Sequence, residues 1–515
     1  MAEIKIIRDG VVVTCDSQRR AGPMCILVKR DRIAEILPEA EVAIARFPEA
    51  EVIDAAGRVI FPGFIDAFYQ GESFILRHLT SARWGRNPQL RRALAYIHGQ
   101  ADKEQLLLAY RAAYFSALKS GITFLAESGF DNLDLPLEAA RAALRRSDLK
   151  GMIALRNGDQ IENAKRSAVP SIMYACALPA EEELTVYNLQ SSLRIAQDQH
   201  WPLHVRLGVT RKGHEILKRN FQKSAVQILQ EYGLLHHRIH LVHLNNFEGD
   251  DLEVLARTGI PVIVGPQAAL MGAVPAPPLA QILSAGISLA LGTSWGLPDP
   301  FGNMRALQLL TNAVGAGPLD PFELLATHTI VGARTLGVDQ ETGSIEVGKK
   351  ADLAIVDVED IRIQHLRRAL PLRSSLSTLL EELTPSHVSD VMINGEFFVR
   401  RGEIMTYAEE DLRRETNGLI KTVSEKAGED QEHRIPETGR RRQAQILPLI
   451  PTPREEDIAE PEVEHAPEAE PSEEPTTPAG TGAKPANQDE PENLPPKPVE
   501  LPKNVKRVFG EDDVA

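Results

Sequence analysis

Three histidines in the middle of the chain are the first residues whose type and setting could do chemistry. His204 lies in Trp201-Pro202-Leu203-His204-Val205-Arg206, and His240 and His243 lie in Ile239-His240-Leu241-Val242-His243-Leu244. Both runs are short, apolar and rich in β-branched residues, so they read as strands. A neutral imidazole there can hold a metal ion, move a proton or hydrogen-bond a ligand; equally, it can line a core and be satisfied by its neighbours. His240 and His243 are three apart, so on a continuous strand they face opposite sides and cannot chelate one ion together. Glu127 closes a further apolar run, Thr123–Ala126, where a carboxylate either faces a mouth or pairs with an arginine. No other His/Asp/Glu cluster has ligand spacing, and the chain has neither a phosphate-cradling glycine loop nor a G-x-S-x-G elbow. Cys15, Cys25 and Cys176 fit neither a disulfide framework nor a C-x-x-C site and are expected as buried reduced thiols of a cytoplasmic protein.

The elements that must position these residues come in three blocks. Short strands fill the start: Ile4–Ile7, Val11–Cys15, Cys25–Lys29 and Arg32–Leu37. A strand-like run, Arg58–Ile65, then leads into a long region where strands and helices alternate. Lys103–Ser120 reads as a helix before Thr123–Ala126, and Lys223–Tyr232 as a helix before Ile239–Leu244. Val262–Val264, helix Leu279–Ala285 and Ser288–Leu291 follow. Such alternation over about 250 residues predicts a parallel sheet closed into a barrel. The β pattern returns at Gly343–Val347, Ala354–Val358 and Val391–Val399, with Asn394-Gly395 as a hairpin turn. The expected fold class is therefore α/β: a (β/α)8 TIM-type barrel over 59–337, with a small β-sandwich-like domain built from 1–58 and 338–408. A capping helix is expected over 409–428 and a disordered acidic, Pro-rich tail over 429–515.

The chain has 515 residues and a formal net charge of −15. From Arg454 to Ala515 there are 17 acidic and 6 basic residues, so this tail carries −11 of that charge. Its Pro/Glu/Ala/Thr composition cannot bury enough apolar area to offset ordering entropy. Net acidity excludes broad phosphate-backbone binding, so no nucleic-acid partner is expected. No run reaches the ~18 apolar residues of a membrane span, and the first residues have no apolar signal-peptide core. Within the tail, Val505-Lys506-Arg507-Val508-Phe509 is an apolar and basic knot that reads either as a chance cluster in a loose tail or as a short motif that docks on a protein partner.

Val59-Ile60-Phe61-Pro62-Gly63-Phe64-Ile65-Asp66 resembles the strand that opens the barrel of amidohydrolase-superfamily enzymes, in particular their chlorohydrolase and aminohydrolase branch. Lys119-Ser120-Gly121-Ile122-Thr123 is similar to its approach to the third barrel strand. Gly343-Ser344-Ile345-Glu346-Val347-Gly348-Lys349-Lys350-Ala351-Asp352-Leu353 resembles its return to the β unit, and Val391-Met392-Ile393-Asn394-Gly395 its final hairpin. The resemblance covers about residues 1–425. It implies a divalent metal held by Asp-x-His-x-His on the first strand, a His on the fifth, a His on the sixth and an Asp on the eighth. It also implies a homo-oligomer.

This chain departs from that pattern. Asp66-Ala67-Phe68-Tyr69-Gln70 places Phe68 and Gln70 at the two His positions, and Ser294 stands for the Asp in Leu291-Gly292-Thr293-Ser294. His204 and His240 match the fifth- and sixth-strand positions. The expected metal is therefore none, with family ligand positions occupied by Phe68, Gln70, His204 and Ser294. Pocket-lining residues are Phe68, Gln70, His204, His240 and Ser294, and relic catalytic candidates are His204, His240 and Glu127. The first functional expectation is a pseudoenzyme acting as a binding or assembly scaffold, with no cofactor. The alternative is a hydrolase or deaminase acting on non-peptide carbon–nitrogen bonds of a small heterocycle, with zinc or iron as its cofactor. A third reading keeps the pocket as a sensor, Ser294 and Gln70 hydrogen-bonding a ligand on which Phe68 and Tyr69 stack.

Overall fold

The computed structural model describes residues 3–79, 88–128, 134–156, 160–162, 164, 169, 171–236, 238–359 and 373–428. The expectations for the tail, including the Val505–Phe509 motif, fall outside them. Eight parallel strands form the central sheet in chain order: Phe64–Tyr69, Ile122–Glu127, Lys150–Leu155, Ile172–Ala177, Leu203–Val205, Ile239–Val242, Val262–Val264 and Leu289–Leu291. They are the first to eighth barrel strands below. Across the seam, Ser294 N–H donates to the Phe68 carbonyl at 3.0 Å and Thr293 N–H to Asp66 Oδ1 at 3.0 Å, joining the eighth strand's end to the first. The sheet thereby closes into the expected α/β barrel.

In the barrel, two details differ from the sequence reading. Thr123–Ala126 lies on the second barrel strand rather than the third, because Lys150–Leu155 and Ile172–Ala177, which the reading had not singled out, fill the next two places. The run Arg58–Ile65 is also not one strand. Arg58–Pro62 pairs antiparallel with Leu353–Asp357, and the barrel's first strand starts at Phe64. Gly63 sits at the crossing, where a Cβ would lie 2.1 Å from Thr123 Oγ1, so only glycine lets the two strands part so closely.

The small β unit consists of two sheets. Four strands run in the order Arg32–Leu37, Cys25–Lys29, Ile4–Arg8, Glu51–Asp54. Seven run in the order Glu403–Ile404, Glu396–Arg400, Val388–Ile393, Leu353–Asp357, Arg58–Pro62, Val11–Val13, Ala21–Pro23. One apolar cluster, with Ile7, Val28 and Ile53 from the first sheet and Val12, Ile60, Ile355 and Met392 from the second, fills the space between them. Both ends of the body therefore contribute to one core. Asn394 and Gly395, at φ 49° and 77°, make the hairpin turn read from the sequence. Gly343–Val347, expected as a strand, is instead a set of turns in which Gly343 takes φ 90°.

Helix Lys103–Lys119 starts on Asp102, whose side chain accepts from Gln105 N–H while the Gln105 side chain accepts from Asp102 N–H. Helix Glu409–Ala427 lies against it and is pinned where Arg92 Nε donates to the Ala427 carbonyl at 2.8 Å. Among the described residues no helix is long and apolar enough to cross a membrane.

Candidate active site

The fifth and sixth strands bring His204 and His240 together, because their parallel register pairs these two positions directly. The rings meet edge to face with centroids 6.0 Å apart. Phe68, from the first strand, stacks on His204 at 5.8 Å and meets His243 edge-on at 5.3 Å. Phe68 thus fills the mouth with an aromatic wall where the resemblance implies a metal ligand. Its close approach to the eighth strand needs Gly292, since a Cβ there would lie 2.6 Å from Phe68 Cβ.

His243 is the residue that sequence reasoning placed wrongly. The sixth strand ends at Val242, and His243 takes a left-handed φ of 52°. The alternation of a strand therefore no longer applies, and the ring turns into the mouth with His204 and Phe68. Its Nε2 lies 3.3 Å from Ser294 Oγ, and Ser294 is itself left-handed at φ 55°. Two adjoining side chains each carry a backbone conformation that costs about 1 kcal/mol or more, a cost that concentrates at functional sites.

All three imidazoles stay neutral near pH 7. Burial pulls His204 well below its ordinary value, helped by the neighbouring His240 ring, which disfavours a second proton beside it, and by the positive charge of Arg206 and Arg156. Burial alone brings His240 to about 4, and burial with the nearby Arg206 brings His243 to about 3. Two nitrogens of these rings, His204 Nε2 and His240 Nδ1, are buried with no hydrogen-bond partner among the described residues. Such atoms are costly to bury alone, so a ligand or water group belongs opposite them.

The remaining candidates divide between mouth and frame. Ser294 is fully buried beside His243. Gln70 lies beyond the first strand, half-buried, where the chain enters the 3-10 helix Gly71–Leu79. The contacts that gather the histidines run through Phe68. Glu127, read as mouth-facing or paired with an arginine, makes no ion pair with an arginine among the described residues. Its carboxyl accepts from Gly71 N–H at 3.0 and 3.2 Å and from the Tyr114 hydroxyl at 2.9 Å, bracing the second strand to its neighbours. Burial, with Glu72 beside it, pushes that carboxyl well above the usual range.

Asp66 has a similar framing role. Its Oδ1 accepts from Phe68 N–H at 3.2 Å and Thr293 N–H at 3.0 Å, while Oδ2 accepts from the Thr293 hydroxyl. Burial raises it to about 7. Below the seam, His328 Nδ1 lies 3.0 Å from the Ile65 carbonyl, and Asn303 Nδ2 donates to His328 Nε2 at 3.1 Å and to the Gly292 carbonyl at 3.2 Å. His328 and Asn303 carried no strand-end or spacing signal in the sequence.

These donors do not fit a divalent metal ion. Phe68 has no lone pair to give, both Asp66 oxygens are committed, and Ser294 offers a neutral hydroxyl. Among the described residues no three His, Cys, Asp or Glu side chains converge to hold an ion. The Arg206 guanidinium, 5.1 Å from the Phe68 ring centroid, adds positive charge that would repel one. A cavity of about 820 Å³ lies elsewhere: it runs between Cys15, Asp16 and Arg19 of the β unit and Leu289, Phe322 and Arg334 at the N-terminal side of the barrel.

A closed parallel barrel whose polar side chains gather at the C-terminal ends of its strands is the architecture of a TIM-barrel enzyme. The chain belongs to the amidohydrolase family, whose sequence model matches residues 59–398. It is 24% identical to a 5-methylthioadenosine/S-adenosylhomocysteine deaminase of Teredinibacter turnerae over 77% of this chain and 92% of that protein. It is 22% identical to a 5'-deoxyadenosine deaminase of Methanobrevibacter smithii over 82% of this chain and 98% of that one. Among solved structures, an adenosine deaminase from Xanthomonas campestris with bound zinc superposes with a TM-score of 0.72, at 22% identity over 82% of this chain and 98% of that one. These relatives overturn the expectation of a pseudoenzyme scaffold: proteins that match the body almost end to end are named as deaminases, the activity held in the alternative reading.

Proposed function

We propose that this chain is a hydrolase of non-peptide carbon–nitrogen bonds, a deaminase that replaces the exocyclic amino group of a 6-aminopurine nucleoside with oxygen. The observation that carries the reading is the near full-length match to nucleoside deaminases. Support from the geometry comes from the two buried, neutral imidazoles on adjoining strands, whose His204 Nε2 and His240 Nδ1 have no partner among the described residues. In this reaction water adds to the ring carbon that bears the amino group, and the adduct expels ammonia. A neutral imidazole can accept the water's proton, which His204 Nε2 or His240 Nδ1 is placed to do, and the same nitrogen returns a proton to the departing amine. Ser294, held against His243, offers a hydroxyl to the adduct. Because His204, His240 and Ser294 are at most 3% exposed, a substrate reaches them only when the mouth opens. The three buried thiols agree with a reducing, cytoplasmic setting.

The test is ammonia release from adenosine, 5'-deoxyadenosine, 5-methylthioadenosine and S-adenosylhomocysteine by the full chain, with nucleoside loss measured in parallel. Ammonia should equal nucleoside consumed, and the His204→Ala/His240→Ala double variant, checked for native circular dichroism, should lose it. A folded wild-type chain that neither binds nor deaminates any 6-aminopurine nucleoside would end this reading.

A further inference from the structure

Gly292-Thr293-Ser294-Trp295-Gly296 has the G-x-S-x-G spacing, which corrects the sequence analysis: the family's eighth-strand ligand position falls on the same residues and hides it. The structure gives this run the strand–turn–helix setting that presents a serine nucleophile. Strand Leu289–Leu291 leads in and helix Pro300–Ala313 leads out. Between them Ser294, Trp295 and Gly296 are left-handed in succession, at φ 55°, 41° and 60°, and Leu297 N–H closes the turn on the Ser294 carbonyl at 3.0 Å. Side chains hold that backbone only where their surroundings impose it, and such positions collect at functional sites. Both glycines are needed for close approach: a Cβ would lie 2.7 Å from Phe68 N at Gly292 and 2.5 Å from Phe74 N at Gly296.

A base stands opposite the serine. His243 leaves the sixth strand left-handed, and its Nε2 comes within 3.3 Å of Ser294 Oγ, a distance that proton transfer need shorten only slightly. The two residues meet across the end of the seventh strand, where Gly265 leaves the room. A Cβ there would lie 2.9 Å from Ser294 Oγ and 3.1 Å from His243 Cε1. Both side chains are buried, and the imidazole, with its proton on Nδ1, turns the Nε2 lone pair to the hydroxyl. Phe68, edge-on to His243 at 5.3 Å, lines the space beside them with apolar surface.

We infer that Ser294 and His243 form a nucleophile–base dyad, which gives this chain an acyl-transfer activity toward esters of small uncharged acyl groups. Ser294 Oγ bonds to the ester carbonyl carbon as its proton passes to His243 Nε2. The tetrahedral adduct then expels the alcohol, which takes that proton and leaves the acyl group on Oγ. Water next attacks the acyl carbon, giving a proton to Nε2; the carboxylic acid departs and Oγ recovers the proton. The dyad rests on this geometry alone, whether or not the chain is a deaminase.

The full chain is treated with diisopropyl fluorophosphate, whose phosphorus a serine nucleophile attacks with loss of fluoride, and its hydrolysis of p-nitrophenyl acetate is followed in parallel. Peptide mass spectrometry should find a single diisopropylphosphoryl group, on Ser294. Ser294→Gly, which suits the left-handed backbone, should abolish both labelling and ester hydrolysis. His243→Gln, checked for native circular dichroism, should slow both about 100-fold or more, the usual contribution of a general base. Ser294→Cys should exchange fluorophosphate labelling for labelling by iodoacetamide at a rate that again depends on His243, which a merely structural histidine would not alter. A native wild-type chain that gains no phosphoryl group and hydrolyses the ester no faster than Ser294→Gly overturns the dyad. Labelling at another residue, or labelling of Ser294 indifferent to His243→Gln, overturns it too. Labelling of Ser294 through His243 in a chain that deaminates nothing keeps the dyad and ends the deaminase reading; deamination by a chain that the fluorophosphate never labels does the reverse.

Discussion

Replacing Asp66 tests how the barrel is closed. The carboxyl accepts from three buried donors: Phe68 N–H, Thr293 N–H and the Thr293 hydroxyl. Asp66→Ala strands all three, and at about 1–3 kcal/mol for each orphaned group, partly relieved by water, the loss is about 3–6 kcal/mol. That is a large share of the ~5–15 kcal/mol that usually holds a domain together. Asp66→Asn keeps Oδ1 for the two N–H groups and offers an N–H to the Thr293 hydroxyl, which turns from donor to acceptor, so its cost is about 1 kcal/mol. The pH dependence separates the pair further. Burial holds this carboxyl at about 7 against an ordinary 3.8, so between those values the folded chain keeps a proton that the unfolded chain has released. Stability from this group is then greatest at the acid end of the window and falls as pH rises, by about 1.4 kcal/mol per unit and about 4 kcal/mol in all. Asparagine does not titrate. Urea unfolding of the wild type and Asp66→Asn at about pH 5 and about pH 7 should show the wild type losing about 2–3 kcal/mol relative to the variant. Parallel stabilities at the two pH values would mean that the carboxyl is not held neutral. An Asp66→Ala loss below about 1 kcal/mol would mean that the seam does not depend on it.

Glu127→Gln should melt close to the wild type near neutral pH, because burial, with Glu72 beside it, already disfavours the charged carboxylate and glutamine matches its shape. Glu127→Ala, which orphans Gly71 N–H and the Tyr114 hydroxyl, should cost about 2–4 kcal/mol by urea unfolding. Equal losses in the two would contradict the bracing role. Burial pushes the thiols of Cys15 and Cys176 to about 12 and that of Cys25 to about 11. A thiolate-specific reagent at neutral pH should therefore label none of them in the native chain and all three in denaturant; fast labelling of any native thiol would contradict its packing.

Much of the architecture was legible before any coordinates. Alternating strand and helix patterns announced a barrel, and Asn394-Gly395 a hairpin, because period and turn chemistry are local properties. The joining of both chain ends into one β unit was also legible, through the runs around Val59–Asp66 and Gly343–Leu353. The split at Gly63 was not, since nothing local distinguishes a strand that changes sheets from one that continues. The scaffold expectation failed in a different way. It weighed the residues missing at the family's ligand positions, whereas the matched deaminases point to an activity.

The sequence by itself determined which side chains could reach the mouth: His204 and His240 hold matching places on adjoining strands, and Phe68 and Ser294 stand where other donors were expected. Only the tertiary structure decided what they do there. A left-handed turn at His243 brought a third imidazole inward, against the strand alternation that had turned it away. Partners far off in the chain took Asp66 and Glu127 out of the chemistry and into the frame, through Thr293 some 227 positions away and Gly71 some 56. The physical reason is the same in each case. Burial and hydrogen-bond commitment are set by what packs against a group, and sequence period records only the group's own side of that contact.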